Sequence, residues 1–142
     1  MRKCALLISL LVLVEAPALA SAGRIKSHVG EVTVLRGGQL LFAAPGLAIE
    51  QGDIIRTGKT GRVGMTFSDN SRMALLPSSS VSIDEFSYDA TSIRGTFVTT
   101  VHRGKVGFVS GSIAGSKRDS MRVRTPTTLL GVRGTRFLVE VN

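Results

Sequence analysis

At 142 residues the chain has length for one domain, and its 18 Lys and Arg against 10 Asp and Glu give a net charge of +8. One cysteine excludes an internal disulfide, and two distant histidines without cysteine or acidic neighbours at ligand spacing exclude a local zinc motif. One tyrosine and no tryptophan leave little for stacking on bases, so nucleic acid is a poor partner.

The first segment reads as an export signal. Arg2 and Lys3 supply a positive start, residues 5–14 an apolar run, and Ala18-Leu19-Ala20 or Ala20-Ser21-Ala22 a small-residue cleavage site. The run ends at Glu15 and Pro17, well short of the ~20 residues that span a bilayer. Residues 1–22 are therefore expected to be cleaved and residues 23–142 to form the domain. Cys4 leaves with the signal, so the domain must stabilise itself by burial.

Gly30 and the alternating pair Val32 and Val34 mark a first strand, which ends in the flexible turn Arg36-Gly37-Gly38. Residues 40–49 are apolar but broken by Pro45-Gly46, which predicts two short extended pieces about a turn. Gly52-Asp53 turns the chain into Ile54-Ile55. Val63, Met65 and Phe67 then alternate with Gly64, Thr66 and Ser68, the two-residue period of a half-buried strand. Asp69-Asn70 predicts a hairpin turn, because both side chains bond local backbone and Asn tolerates positive φ. Met73 and Leu75 lie on one face of the return strand, with Arg72 and Ala74 on the other. Pro77 and Ser78-Ser79-Ser80 break it before Val81 and Ile83.

Residues 84–89, with the acids Asp84, Glu85 and Asp89, are expected to be an exposed loop or edge. They lack the glycine and alternating oxygen ligands of a calcium loop. Strands resume around Phe97 to Val101 and at Val106 and Phe108, and residues 111–119 are expected to be a mobile loop. Met121 and Val123 alternate with Arg122 and Arg124, Thr125-Pro126 turns, and Phe137, Val139 and Val141 alternate with Arg136, Leu138 and Glu140. The run Ile55-Arg56-Thr57-Gly58-Lys59-Thr60 parallels Val123-Arg124-Thr125-Pro126-Thr127-Thr128, which suggests two equivalent strand-turn-strand units. The expected fold is one all-β domain of about ten short strands, a β-roll or sandwich open to solenoid-like stacking.

Few motifs carry chemistry. Residues 52–60, GDIIRTGKT, approach a phosphate-binding loop, but five residues separate the glycines and a strand follows where a helix should start. Gly107, Gly111 and Gly115 have the spacing of packed membrane helices, but their flanks are polar. No metal, cofactor or catalytic set is expected, and no Ser, His and acid arrangement is suggested. The basic excess is concentrated late: residues 103–142 carry eight basic side chains against Asp119 and Glu140. Lys117, Arg118, Arg122, Arg124, Arg133 and Arg136 form a candidate basic binding face. Such side chains add about 1 kcal/mol each near an anionic membrane surface, where contact would be peripheral at most. An ordinary solvated face is the competing reading.

The turn Gly52-Asp53-Ile54-Ile55-Arg56-Thr57-Gly58, the strand pair around Phe67-Ser68-Asp69-Asn70-Ser71, the step Gly104-Lys105-Val106 and the ending from Val123-Arg124-Thr125-Pro126 to Gly131-Val132-Arg133-Gly134-Thr135-Arg136-Phe137 come in a telling order. In these, from about Gly30 to Val141, the chain resembles the FecR-type periplasmic domain of the iron-citrate sensor family. Asn70 departs from the glycine usual in that strand turn. The resemblance implies an envelope signalling domain; in such sensors a cytoplasmic segment controls a sigma factor and a membrane helix joins it to the periplasmic domain. Here the exported domain is expected alone, in the Gram-negative periplasm, as a non-catalytic interaction or sensing module binding an envelope protein. The alternative is an envelope-surface or glycan binder that uses the basic face on an anionic envelope component.

Overall fold

The computed structural model describes residues 21–134 and 136–142, so the expected export signal lies almost wholly outside the described residues. Twelve strands and one short helix follow in chain order. They are β1 (Gly23–Val29), β2 (Val32–Arg36), β3 (Gln39–Phe42), β4 (Ala48–Ile49), β5 (Ile54–Thr57), β6 (Arg62–Phe67), β7 (Arg72–Leu75), β8 (Ser80–Asp89), β9 (Arg94–Val109), α1 (Ser112–Ser116), β10 (Met121–Arg124), β11 (Leu129–Val132) and β12 (Arg136–Val141). They form one curled, mostly antiparallel sheet, a half-barrel, in the order β3-β2-β5-β8-β9-β7-β6-β1-β4. β10 and β12 occupy the remaining flank of β9, and β11 hangs outside β10. The chain is thus an all-β single domain, with twelve strands against the expected ten or so.

Alternation decides which side of each strand is buried. Val63, Met65 and Phe67 of β6, Met73 and Leu75 of β7, and Val106 and Phe108 of β9 all point into the core. Each such side chain contributes about 1.5–3 kcal/mol by leaving water. Phe67, Phe86 and Phe97 form an aromatic cluster, with ring centroids 4.6 to 5.7 Å apart. Phe108 and Phe137, opposite one another on β9 and β12, stack at 5.0 Å.

The sheet is organised around the sixteen residues of β9. Its first half pairs with β8 and, in parallel, with β10, while its second half pairs with β7 and β12. The halves meet at Gly104, whose φ of +90° and contact with the Ser79 backbone admit no side chain.

Two expectations change and a third is narrowed. Of the loop or edge expected at residues 84–89 the structure has the edge: they are the outer half of β8, paired with β9 on one side only. Residues 111–119 begin with α1, because Asp69, fully buried, accepts from the Ile113 amide at 3.2 Å and its carbonyl from that of Ser112 at 2.9 Å. Ile113 and Ala114 are buried beneath it. The two similar segments are not equivalent units, since β5 pairs antiparallel with β2 and β8 whereas β10 runs parallel to β9.

Candidate functional site

Strand register brings distant residues into line on the outer face of β6, β7, β9 and β12. Thr66 stands opposite Arg72, Arg72 opposite Val109, and Val109 opposite Arg136. The neighbouring row is made of small residues: Gly64, Ala74 and Gly107, with Ser27 of β1 at one end and Leu138 of β12 at the other. A bulge in β1 between Ile25 and Ser27 sets Lys26 beside them. The result is a groove of about 520 Å³ that crosses the strands. Its floor is apolar, and Lys26, Arg72 and Arg136 line it.

Cations outnumber acids around this groove and gather mainly along one wall. Ion pairs among the described residues are Arg36 with Glu50 and Asp53, and Lys105 with Glu140. Lys105 and Glu140 stand in the row beyond the small residues, paired at 3.6 Å, and Arg62 of β6 is the one cation of that row without an acid partner among the described residues. Lys26, Arg72 and Arg136 face no acid among the described residues. Arg72 and Arg136 are two strand spacings apart, about 10 Å, on either side of Val109.

The expected basic residues are distributed over several places. Arg122 and Arg124 lie on β10, opposite Val98 and Thr100 of the first half of β9. Arg124 is exposed, whereas the Arg122 Nε is enclosed without a partner in the protein. Lys117 and Arg118 follow α1, with Lys117 beside Arg94 in a small polar cleft. Arg133 is exposed between β11 and β12. Arg136 alone pairs with the second half of β9, past the bend, where it meets Arg72 and Lys26. Alternation gave the outward direction of each arginine; position round the curl depends on strand partners that alternation does not name.

One constellation holds the residue types of a hydrolase. The Ser82 hydroxyl donates to Asp84 Oδ1 at 2.7 Å, Thr100 donates to the other Asp84 oxygen, and His102 Nε2 lies 3.0 Å from Ser82 Oγ. The order is wrong for nucleophilic attack. A catalytic serine gives its proton to histidine, which an acid orients from its far side. Here the serine proton is spent on the carboxylate, so His102 donates into Ser82, and the set fastens the β8 bulge between Ile83 and Glu85. Among the described residues no group of three His, Cys, Asp or Glu side chains is placed to hold a metal ion, and no helix is long and apolar enough to cross a membrane.

No curated protein and no solved structure shows significant similarity to the chain. The family model described as FecR protein matches residues 53–142, from the buried Asp53 that opens β5 through β12. This stretch contains all of the groove except Lys26 and includes Arg72 and Arg136. With well over half of its length matched, the chain belongs to the FecR family, an envelope-associated regulatory family without catalytic activity.

Proposed function

We propose that this protein is a periplasmic sensing module of FecR type that works by binding a protein of the cell envelope, and that the cationic groove over β6, β7, β9 and β12 is the contact. The observation that carries the reading is the pair Arg72 and Arg136. They flank one residue, Val109, on an outer face, beside an apolar floor, and no acid of the described chain neutralises them. A structural sheet face gains nothing from two unpaired guanidiniums two strand spacings, about 10 Å, apart, and their repulsion, though screened by salt, is unfavourable. An acidic partner relieves that repulsion and gains charge-assisted hydrogen bonds from both. The family assignment supports the regulatory side of the reading.

The test is retention on envelope fractions with cross-linking. Arg72→Glu with Arg136→Glu is expected to abolish capture of the cross-linked protein, while Arg122→Glu with Arg124→Glu leaves it unchanged. The reverse pattern would shift the contact to the first half of β9 and favour a general anionic surface.

A further inference from the structure

We propose that the occupant of the groove is an amphipathic α-helix of the partner, lying across the strands with acidic side chains seven residues apart along one flank. This rests on reading the groove as the partner contact.

The direction of the groove argues against an extended segment. Its floor is the middle of the sheet, where β7 is hydrogen-bonded to β6 on one side and to β9 on the other, and β9 to β12 beyond it. A strand laid across them finds no free backbone groups and leaves its own unsatisfied against an apolar floor. A helix satisfies its backbone internally and can cross at any angle.

The dimensions agree. From the Arg72, Val109 and Arg136 row to the Lys105 and Glu140 row is four residues along each strand, about 13 Å. A helix with its side chains is about 10–12 Å across. The floor between those rows is Gly64, Ala74 and Gly107 on β6, β7 and β9, small enough to let a helix settle close to the sheet, with Leu138 of β12 rising at the far end of the track as an apolar stop. Five strands, β1 to β12, give a track of about 19 Å, some thirteen helical residues.

Charge fixes the flank. Arg72 and Arg136 stand on one wall about two strand widths apart, near 10 Å; beyond Arg72 the wall continues at about the same step with Arg24, opposite Thr66, and Lys26, which the β1 bulge sets between that row and the small-residue row. Seven helical residues rise about 10.5 Å and return to nearly the same side, so acids at i and i+7 meet successive cations. On the opposite wall Lys105 is paired with Glu140 and Arg62 of β6 is the one cation without an acid among the described residues, so that flank of the helix meets a single free charge.

A bilayer suits this face poorly. Membrane adsorption needs apolar side chains that protrude beside the cations, and here the apolar surface is recessed below them. Leu138 of β12 and Val29 of β1 protrude singly at the two ends of the track, 60% and 66% exposed, whereas the adjacent protruding pair Leu40 and Phe42 lies on β3, away from the groove.

Gly107 supplies a clean test, because a Cβ built there meets nothing nearer than the Ala74 carbonyl at 4.0 Å. Gly107→Leu fills the groove, keeps every charge and leaves the inward face untouched; Ala74→Leu, also outward, is the second plug. The probe is a fluorescent eighteen-residue helical peptide with a leucine seam and Glu at two positions seven apart, titrated into the purified protein by anisotropy. The wild type is expected to bind it, and a Lys-for-Glu version at least tenfold more weakly. Either plug, shown by circular dichroism and melting to be folded, is expected to abolish binding, and Arg72→Glu with Arg136→Glu to weaken it tenfold or more. Binding that survives a folded plug overturns the proposal. So does charge-dependent adsorption to phosphatidylglycerol vesicles that both plugs leave intact while the peptide stays unbound. If the plugs abolish capture of the envelope protein but the peptide does not bind, the helix is wrong and the groove contact stands. Capture indifferent to both plugs and to charge reversal removes the contact itself.

Discussion

Arg36 grips both oxygens of Asp53, with Nε 2.9 Å from Oδ1 and Nη2 2.8 Å from Oδ2, and so ties the end of β2 to the start of β5. The two residues are unequal. Asp53 is fully buried, while the Arg36 side chain keeps 29% of its surface in water and also reaches Glu50 and the Ala48 carbonyl. The Asp53 hydrogen bond raises the Arg36 pKa above its ordinary value, so the guanidinium stays charged. Arg36→Met leaves a buried carboxylate whose remaining donor is the Glu50 amide, at 2.8 Å. The expected cost is about 3–5 kcal/mol. Asp53→Asn keeps an acceptor for Arg36 and should cost about 1–3 kcal/mol. Urea denaturation of both variants checks the order; equal losses would mean that the carboxylate is less dependent on Arg36 than its burial implies.

Gly104 and Gly107, three residues apart on β9, should respond oppositely to alanine. A Cβ at Gly104 would stand 2.5 Å from the Ser79 Cα, on a backbone with φ of +90°. Neither strain can be relieved without moving β8. Gly104→Ala is expected to cost about 3 kcal/mol or more, or to prevent folding. Gly107→Ala meets open space and should change stability by no more than about 0.5 kcal/mol. Thermal melts of the two variants decide it. A tolerated Gly104→Ala would show that the bend can relax.

What the sequence displayed was local. Val63, Met65, Phe67, Met73 and Leu75 announced their strands and inward faces by alternation, and the structure keeps every one of those faces. The turn at Asn70 sits at φ of 67°, a conformation that asparagine accepts more readily than most residues with a Cβ. What was hidden was pairing. Nothing in the order of residues states that Arg72 and Arg136, 64 positions apart, flank Val109, because β7 and β12 meet only through β9. The later arginines therefore looked like one basic face, and Arg72 and Lys26 went unnoticed in a half of the chain whose charges balance. Residues 84–89 read equally as a loop or an edge because acidic side chains mark exposure and not backbone pairing; the ladder to Arg94 makes them an edge.

The free edge at β3 should make the protein sticky. The Ala43 amide donates to Val32, so alternate residues of β3 face β2 and the backbone groups of Leu40 and Phe42 point to the open side. Their side chains are exposed as well, by 56% and 79%. Edge strands without a charge or proline invite pairing with other chains. Phe42→Lys is expected to leave the melting curve within about 0.5 kcal/mol of wild type and to lower light scattering at high concentration. Scattering that persists unchanged would place the association elsewhere.

Ala22 bears on where the expected export signal would be removed. Its amide donates to the Ile49 carbonyl at 2.7 Å, and its own carbonyl accepts from the amide and hydroxyl of Ser68 at 2.9 and 3.0 Å. The methyl group is buried, 2% exposed, in the core. Of the two small-residue sites, cleavage after Ala22 would discard this residue and leave Ile49 and Ser68 without those partners. Cleavage after Ala20 keeps all three bonds and adds only Ser21, whose carbonyl also lies within reach of the Ser68 hydroxyl. The exported chain is therefore expected to begin at Ser21, a difference of two residues that intact mass spectrometry resolves. A form beginning at Gly23 is expected to be less stable by about 1–3 kcal/mol, for the Ile49 carbonyl and the Ser68 donors left unpaired and the lost methyl contact. An exported chain found to begin at Gly23 with undiminished stability would show that the Ala22 contacts are incidental to the fold.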